Sequence, residues 1–438
     1  MPKVAVARPP SSLGPPYIVR RDRTSHAIRF LFVLNLLSMP MKAYLSEYVP
    51  WSQPPVTTPT YTNFTAFNAS TLELSQTLYS RRSLPQGSTY YYDDTQNTHV
   101  FRTVIARPSP VAASDCVQDF LPGIVGVYYM TTATLAALCD CAAAPNISSC
   151  DKRGSCYVDR MITQFSGHSC AWATTGDDVE GTDPAGVVTV THAYTAALLL
   201  PQWRWLKFIY RILMTCVVAY RLHVQYNVHV AALEKTLRIH GHRRDLVGKW
   251  RYTLVIGDPT VLVLTNPAIG LGFVLDVWLS TDNVGVATLR TSQTSDLWLT
   301  VRTILYLSRI VWFAYAALSL TNELLKKHKK EHLFAAVDPT IVAVTIAIYC
   351  FALSWMAQYI PVLISAFSVI YNCLVPADVK GEEIELILGC SIFTATMTVV
   401  PINYGIARAF VDRLKQTPDR SLTQYQMRSF TNAKNWVL

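Results

Sequence analysis

Residues 339–360 read PTIVAVTIAIYCFALSWMAQYI, a run without a single charged side chain. As a helix rising ~1.5 Å per residue it covers the ~30 Å hydrocarbon core of a bilayer. Just ahead of it stand Lys326, Lys327, Lys329 and Lys330, and basic residues beside a span are retained on the cytosolic face. One stretch therefore supplies a membrane crossing and its direction, and the remainder of the chain is read outward from it.

Apolar runs of comparable character lie at 28–44, 204–222, 253–280, 299–320 and 385–405. The composition agrees: 51% of the 438 residues are hydrophobic and 15% are charged, against about 25% charged in an ordinary soluble domain. The segments between runs alternate in charge. Residues 1–29 are rich in arginine. Residues 223–251 carry Lys235, Arg238, Arg243, Arg244, Lys249 and Arg251 against Glu234 and Asp245, and the tail is basic again. Between 46 and 203, by contrast, 7 basic residues face 13 acidic ones. Basic segments at alternate positions put both termini in the cytosol. The net charge of +9 is thus a signature of topology. It is dispersed among spans and never forms one face, which argues against nucleic-acid binding.

The fold class expected is an α-helical multipass membrane protein of about six transmembrane helices. A disulfide-stapled, glycosylated α+β or β-rich extracytosolic domain lies between the first and second. In chain order the segments are a basic disordered cytosolic tail (1–27), an anchor (28–44), the Cys-rich external domain (45–203) and a span (204–222). A basic cytosolic loop (223–252), a span (253–280), an external loop (281–298) and a span (299–320) follow. Then come a basic cytosolic loop (321–338), a span (339–360) and a re-entrant or interfacial segment with an external loop (361–384). The last span (385–405) leads into a basic cytosolic tail (406–438). Read as a signal peptide, the first run would leave five spans, but no small-x-small cleavage site follows Met41. The plasma membrane or an endomembrane is the expected location.

Every acceptor sequon falls in the external stretch: Asn63-Phe-Thr, Asn68-Ala-Ser and Asn146-Ile-Ser. So do Cys116, Cys139, Cys141, Cys150, Cys156 and Cys170. An even set in an oxidising compartment predicts three disulfides, whose fifteen pairings remain open. Zinc is the rival reading, but no C-x-x-C pair is present. Cys216, Cys350, Cys373 and Cys390 fall in or beside apolar runs and read as packed thiols. Residues 50–62, rich in Pro, Thr and Ser, read as an extended stalk, and Thr98–Ile105 and Ile124–Met130 as strands.

Polar groups inside the apolar runs are the candidate working parts. These are Lys207, Arg211, Asp258, Asn266, Asp276, Arg302 and Arg309. Arg204, Lys207 and Arg211 form a one-sided stripe. Asp276 and Arg302 stand at neighbouring external ends, which predicts a pair across the hairpin, and Arg309 reaches mid-membrane. Such groups serve ion conduction or voltage sensing, or else a static ion-pair network that fixes helix register. Two arginines are few for a voltage sensor, so the network is the expectation. Gly257-Asp258-Pro259-Thr260 and Asp338-Pro339-Thr340 share helix-capping chemistry, with Asp at N-cap and Pro in the first turn. Asn266-Pro267 predicts a kink, and Gly270-x-Gly272 a close helix approach.

No Walker loop, G-x-G-x-x-G, H-E-x-x-H or G-x-S-x-G is present. Histidines 223, 229, 240 and 242 lack clean metal spacing, so no metal or cofactor is expected, nor catalysis. Expected partners are the bilayer, anionic headgroups at the cytosolic loops, an unidentified external or luminal partner and, for some such proteins, a second copy of the chain.

The stretch from Gly257-Asp258-Pro259-Thr260 to Leu279-Ser280-Thr281-Asp282, with Leu305–Arg309 and Trp312, resembles a large group of uncharacterised multipass proteins of oomycetes. That resemblance covers mainly the third and fourth runs and implies a multipass fold without an assigned activity. The topology is similar to that of polycystin- and mucolipin-type channels, which implies six spans, cytosolic termini and conduction. Residues 362–384 are short for two pore helices and a filter. The functional expectation is therefore an interaction or receptor-like role through the external domain, with a channel or transporter subunit as the alternative.

Overall fold

The computed structural model of the chain describes residues 18–21, 23–52, 61, 63–72, 88–93, 95–106, 109–161, 164–175, 186–197, 201–240, 251–254, 259–264, 266–335, 337–374 and 382–414. The chain is mostly helical, with a β-sheet domain closed by three disulfides. The strands are β1 (Ile18–Arg21), β2 (Ser88–Asp93), β3 (Thr98–Ala106), β4 (Arg153–Met161), β5 (Gln164–Thr175), β6 (Val187–Ala196), β7 (Arg251–Leu254) and β8 (Glu383–Glu385). The longer helices are α1 (Arg23–Ser38), α2 (Thr132–Ala143), α3 (Pro201–Leu222), α4 (Val228–His240), α5 (Pro267–Trp278) and α6 (Thr281–Arg290). They continue as α7 (Leu297–Leu307), α8 (Val311–Lys327), α9 (Pro339–Tyr359), α10 (Pro361–Leu374) and α11 (Leu386–Leu414).

The main sheet runs β2-β3-β6-β5-β4-β8, antiparallel except for the β4–β8 pair. Asp93 starts the β2–β3 turn by accepting from the Thr95 amide and hydroxyl, and Asn97 completes it at φ 51. β3 is buried on both faces: Phe101 joins the core shared with the helices, and Val100 joins Tyr61, Phe67 and Trp172 on the other side. Cys156 and Cys170 stand opposite each other in the β4–β5 register and are bridged. Cys139 and Cys141, both on α2, pair apart from each other, with Cys116 and Cys150.

The helices bury a second core that includes Leu36, Phe273, Trp312, Ile346 and Met397, with Phe273 stacked on Trp312 at 3.9 Å. Among the described residues two helices, Leu297–Lys327 and Ile341–Tyr359, are long and apolar enough, by length and composition, to cross a membrane. α3 is inverted relative to a soluble surface helix. It buries Arg204, Lys207 and Arg211 and exposes Trp205, Leu206, Ile209, Ile212, Leu213 and Val217.

Several boundaries differ from expectation, each for a physical reason. The 253–280 run is not one helix: a short Thr260–Leu264 helix ends before Asn266, whose side chain caps α5 by accepting from the Ala268 and Ile269 amides. Pro267 at the first turn disfavours helix at the preceding residue, so the chain restarts there. The expected loop 281–298 contains α6, whose buried Thr281 and Thr288 read as loop residues but satisfy their hydroxyls on helix carbonyls. The expected loop 223–252 continues α3 through a π-turn into α4. Residues 361–384 supply α10 and most of β8, and β8 joins the main sheet beside β4. Ile124–Met130 is no strand: Gly123 and Gly126 take positive φ and lead into a 3-10 turn. β1, within the expected disordered tail, pairs in parallel with β7. In the expected stalk, Tyr61 is buried on the sheet.

Candidate anion-binding site

The corner that follows α1 joins the sheet to the helices. Pro40–Leu45 tightens into a 3-10 turn, and residues 44–48 are then held from several directions. The Leu45 carbonyl accepts from Arg302 Nη2 at 2.7 Å, and Ser46 Oγ accepts from Arg290 Nη1 at 2.9 Å. The Tyr48 hydroxyl meets that of Tyr92 on β2.

Glu47 is the centre of a buried ion-pair network. Its side chain is 6% exposed and accepts from Arg211 Nη2 at 2.8 Å. Lys207 Nζ lies 4.0 Å away and Arg309 Nη1 3.4 Å away. Asp276 accepts from Arg211 Nε at 2.8 Å and from Arg309 Nη2, while Ser280 Oγ accepts from Arg211 at 3.0 Å. Removing one member would leave an uncompensated buried charge, so the arrangement locks α3, α5 and α7–α8 against the corner.

The expected Asp276–Arg302 pair does not form. Asp276 faces α3 and Arg309, and Arg302 reaches the Leu45 carbonyl instead. Sequence spacing gave the two hairpin ends but not the corner that folds between them. Asn266 is a helix cap, and Asp258 lies outside the described residues. Gly272 does meet a neighbouring helix, with the Tyr210 hydroxyl donating to its carbonyl and Met214 against its α-carbon, whereas Gly270 faces open space. Asn63, Asn68 and Asn146 are all exposed. Asn63 and Asn146 use Oδ1 to cap short helices, which is not the amide atom a glycan would occupy.

Above the network lies a cavity of about 320 Å³. Its lining includes five cations, Arg204, Lys207, Arg211, Arg290 and Arg302, and one carboxylate, Glu47. Tyr44, Tyr48, Tyr90, Tyr92 and Asn97 supply phenol and amide groups, and Val286 and Leu299 an apolar edge. Arg290 donates to the Tyr90 hydroxyl and lies over its ring. Arg204 is 8% exposed, and its Nε has no hydrogen-bond partner. Among the described residues, Arg204, Arg290 and Arg302 have no carboxylate partner. His99, stacked against Tyr92 at 4.4 Å, is pushed well below its ordinary 6.5 by burial and then by Arg290, so it adds no further positive charge. Burial also raises the Tyr90 phenol, against the pull of Arg290, and keeps it a donor.

A surplus of buried, donor-rich guanidinium groups around a space larger than one ion is a ready-made anion site. Sequence reading singled out the Arg204–Arg211 stripe and Arg302. It missed Glu47, Arg290 and the tyrosines, of which only the Tyr90-Tyr91-Tyr92 run offered a signal. Among the described residues no group of three or more His, Cys, Asp or Glu side chains is placed to hold a metal. Set against known proteins, the chain matches no family, no curated protein and no solved structure.

Proposed function

We propose that this chain is a multipass membrane glycoprotein that receives an anionic ligand in the cavity between its external domain and its helices. The observation that carries the reading is the five-to-one excess of cations over carboxylates in that lining, with Arg204 buried and incompletely bonded. Burying unpaired charge is costly, so an anion that supplies the missing partners binds with a favourable electrostatic term.

The membrane assignment draws on the inverted face of α3 and on further exposed apolar side chains, including Phe30 and Leu31 on α1, Ile341 and Ile348 on α9, and Phe410 on α11. Arranged around buried charges, these suit lipid better than water. Exposed Lys326, Lys327, Lys329 and Lys330 are suited to anionic headgroups on the opposite, cytosolic side. The network favours the receptor reading over conduction, because Arg211 and Arg309 are each tied to both Glu47 and Asp276.

The test is thermal unfolding of the full-length protein in zwitterionic nanodiscs, with phosphate, sulfate or citrate compared with chloride at equal ionic strength. A rise in the midpoint with the polyvalent anions, lost in Arg204→Gln, is expected. Equal midpoints in all four salts would sink the reading.

A further inference from the structure

Resting on the anion-cavity reading, we infer that the ligand is a phosphate monoester whose carrier lies against the tyrosine wall, presented at the headgroup level of the membrane. Three observations converge on this class. The first is charge. Six cations gather at the cavity and the network beneath it, the five of the lining and Arg309, and only Glu47 and Asp276 oppose them among the described residues. A single carboxylate ligand would leave most of that excess in place. A phosphate monoester brings a charge of about −1.5 to −2 and three strong acceptor oxygens, and guanidinium forks match those oxygens in pairs.

The second observation is shape. Arg204, Lys207 and Arg211 recur at i, i+3 and i+7, so they form a ladder descending about 10 Å along α3. Arg211 at its foot is bonded through Nε and Nη2 to Glu47, Asp276 and Ser280 and keeps only Nη1 unpartnered, and Arg204 at its head keeps an unpartnered Nε. Unpartnered guanidinium nitrogens thus occur at both ends of the ladder, and the guanidinium groups without a carboxylate partner among the described residues, Arg204, Arg290 and Arg302, all line the wall. A volume of about 320 Å³ lies within the range of small-molecule pockets, ~300–1,000 Å³, and leaves room for a carrier beyond the phosphate. Tyr48, Tyr90 and Tyr92 offer that carrier flat faces and phenol hydroxyls.

The third observation is position. Trp51, Trp205, Trp278 and Trp298 are 65%, 45%, 42% and 68% exposed. They flank the cavity: Trp51 and Trp205 pack on Phe208, one residue from Lys207; Trp278 is two residues from Asp276; Trp298 is next to Leu299 of the lining. Tryptophan gathers at the level of lipid headgroups. A lipid phosphate monoester thus reaches the cavity laterally, and a soluble one reaches it from the external solution.

The experiment uses the full-length protein in phosphatidylcholine nanodiscs. One arm includes phosphatidic acid in the bilayer. A second adds glycerol 3-phosphate to the solution, and a third adds sulfate or citrate at matched ionic strength. Thermal unfolding and native mass spectrometry read out stabilisation and retained ligand. The expected result is stabilisation by a phosphate monoester, with Arg204→Gln and Arg302→Gln each weakening it roughly tenfold or more, as loss of a charge-assisted hydrogen bond does. Arg204→Lys, which keeps the charge, should recover part of the effect. Stabilisation by phosphatidic acid alone identifies the lipid source, and by glycerol 3-phosphate the soluble one. Response to sulfate or citrate but to neither monoester overturns the phosphate class while leaving the anion cavity intact. No response in any arm overturns both.

Discussion

Two buried groups in the sheet should give opposite pH slopes. Asp159 on β4 and His192 on β6 line the same small cavity, beneath Val286 and Leu289 of α6. Asp159 accepts from Ser169 at 2.6 Å, and burial pushes its carboxyl from an ordinary 3.8 up to about 7. His192 Nδ1 faces the Val125 carbonyl at 3.0 Å, and burial lowers its imidazole from 6.5 to about 4 despite that bond. Tyr157, also buried, faces His192 Nε2 at 3.5 Å, and its phenol is pushed well above the usual range. The raised Asp159 contributes stability that is complete below about 3.8 and is lost as pH rises through about 7. The depressed His192 contributes stability that is present above about 6.5 and is lost as pH falls through about 4. Each slope is about 1.4 kcal/mol per pH unit, a tenfold change. Between about pH 4 and 6.5 they oppose each other, while His99 and His168, also depressed by burial, add slope of the sign of His192. Relative to the parent, Asp159→Asn should make stability rise with pH by about 3 kcal/mol more across that window. His192→Gln should shift the profile by a similar amount in the opposite direction. Amide exchange of β4, β5 and β6 in the full-length protein, corrected for intrinsic rates, measures the free energy of opening the sheet. Profiles parallel to the parent's in both variants, or changes of the same sign, would refute the assignment.

Other outcomes follow from the same geometry. Glu47→Gln should destabilise the helices by about 3–5 kcal/mol, because Arg211, Lys207 and Arg309 would then share only Asp276; thermal unfolding in nanodiscs checks this, and a neutral result would show that the network is not locked. Gly126→Ala should cost more than 1 kcal/mol, since φ is +79° and an added Cβ would lie 2.7 Å from the His192 ring; denaturant midpoints are the measure. Replacing Cys156 and Cys170 together by alanine should lower sheet stability by about 2–4 kcal/mol, and unaltered exchange in β4 and β5 would contradict it. Asn63→Gln, Asn68→Gln and Asn146→Gln should each remove one glycosidase-sensitive mass step, as their exposure allows; a chain whose mass glycosidase never alters would lie on the wrong side of the membrane for this reading.

Apolar run length and charge alternation by themselves determined that long helices are present and where basic segments fall, because both properties are local in the chain. Six cysteines within 55 positions likewise announced a stapled domain, since an oxidising compartment makes an even set of thiols pair. Tertiary structure alone decided which cysteines pair, because pairing depends on the β4–β5 register and on the two directions that Cys139 and Cys141 take from α2. It also decided the partners of the buried charges. Arg302 and Asp276 stand close in the hairpin, yet Arg302 turns to Leu45, and Asp276 takes Arg211 from 65 positions away. Glu47, one acid among 13 between residues 46 and 203, becomes the hub because the 3-10 corner after α1 swings it beneath the sheet. Arg290, on a helix expected as a loop, reaches Tyr90 and Ser46 across 200 and 244 positions. Apolar runs and charge are written in neighbouring residues. A cavity is written in which distant residues share a space, and only burial of the two cores against each other brings them together.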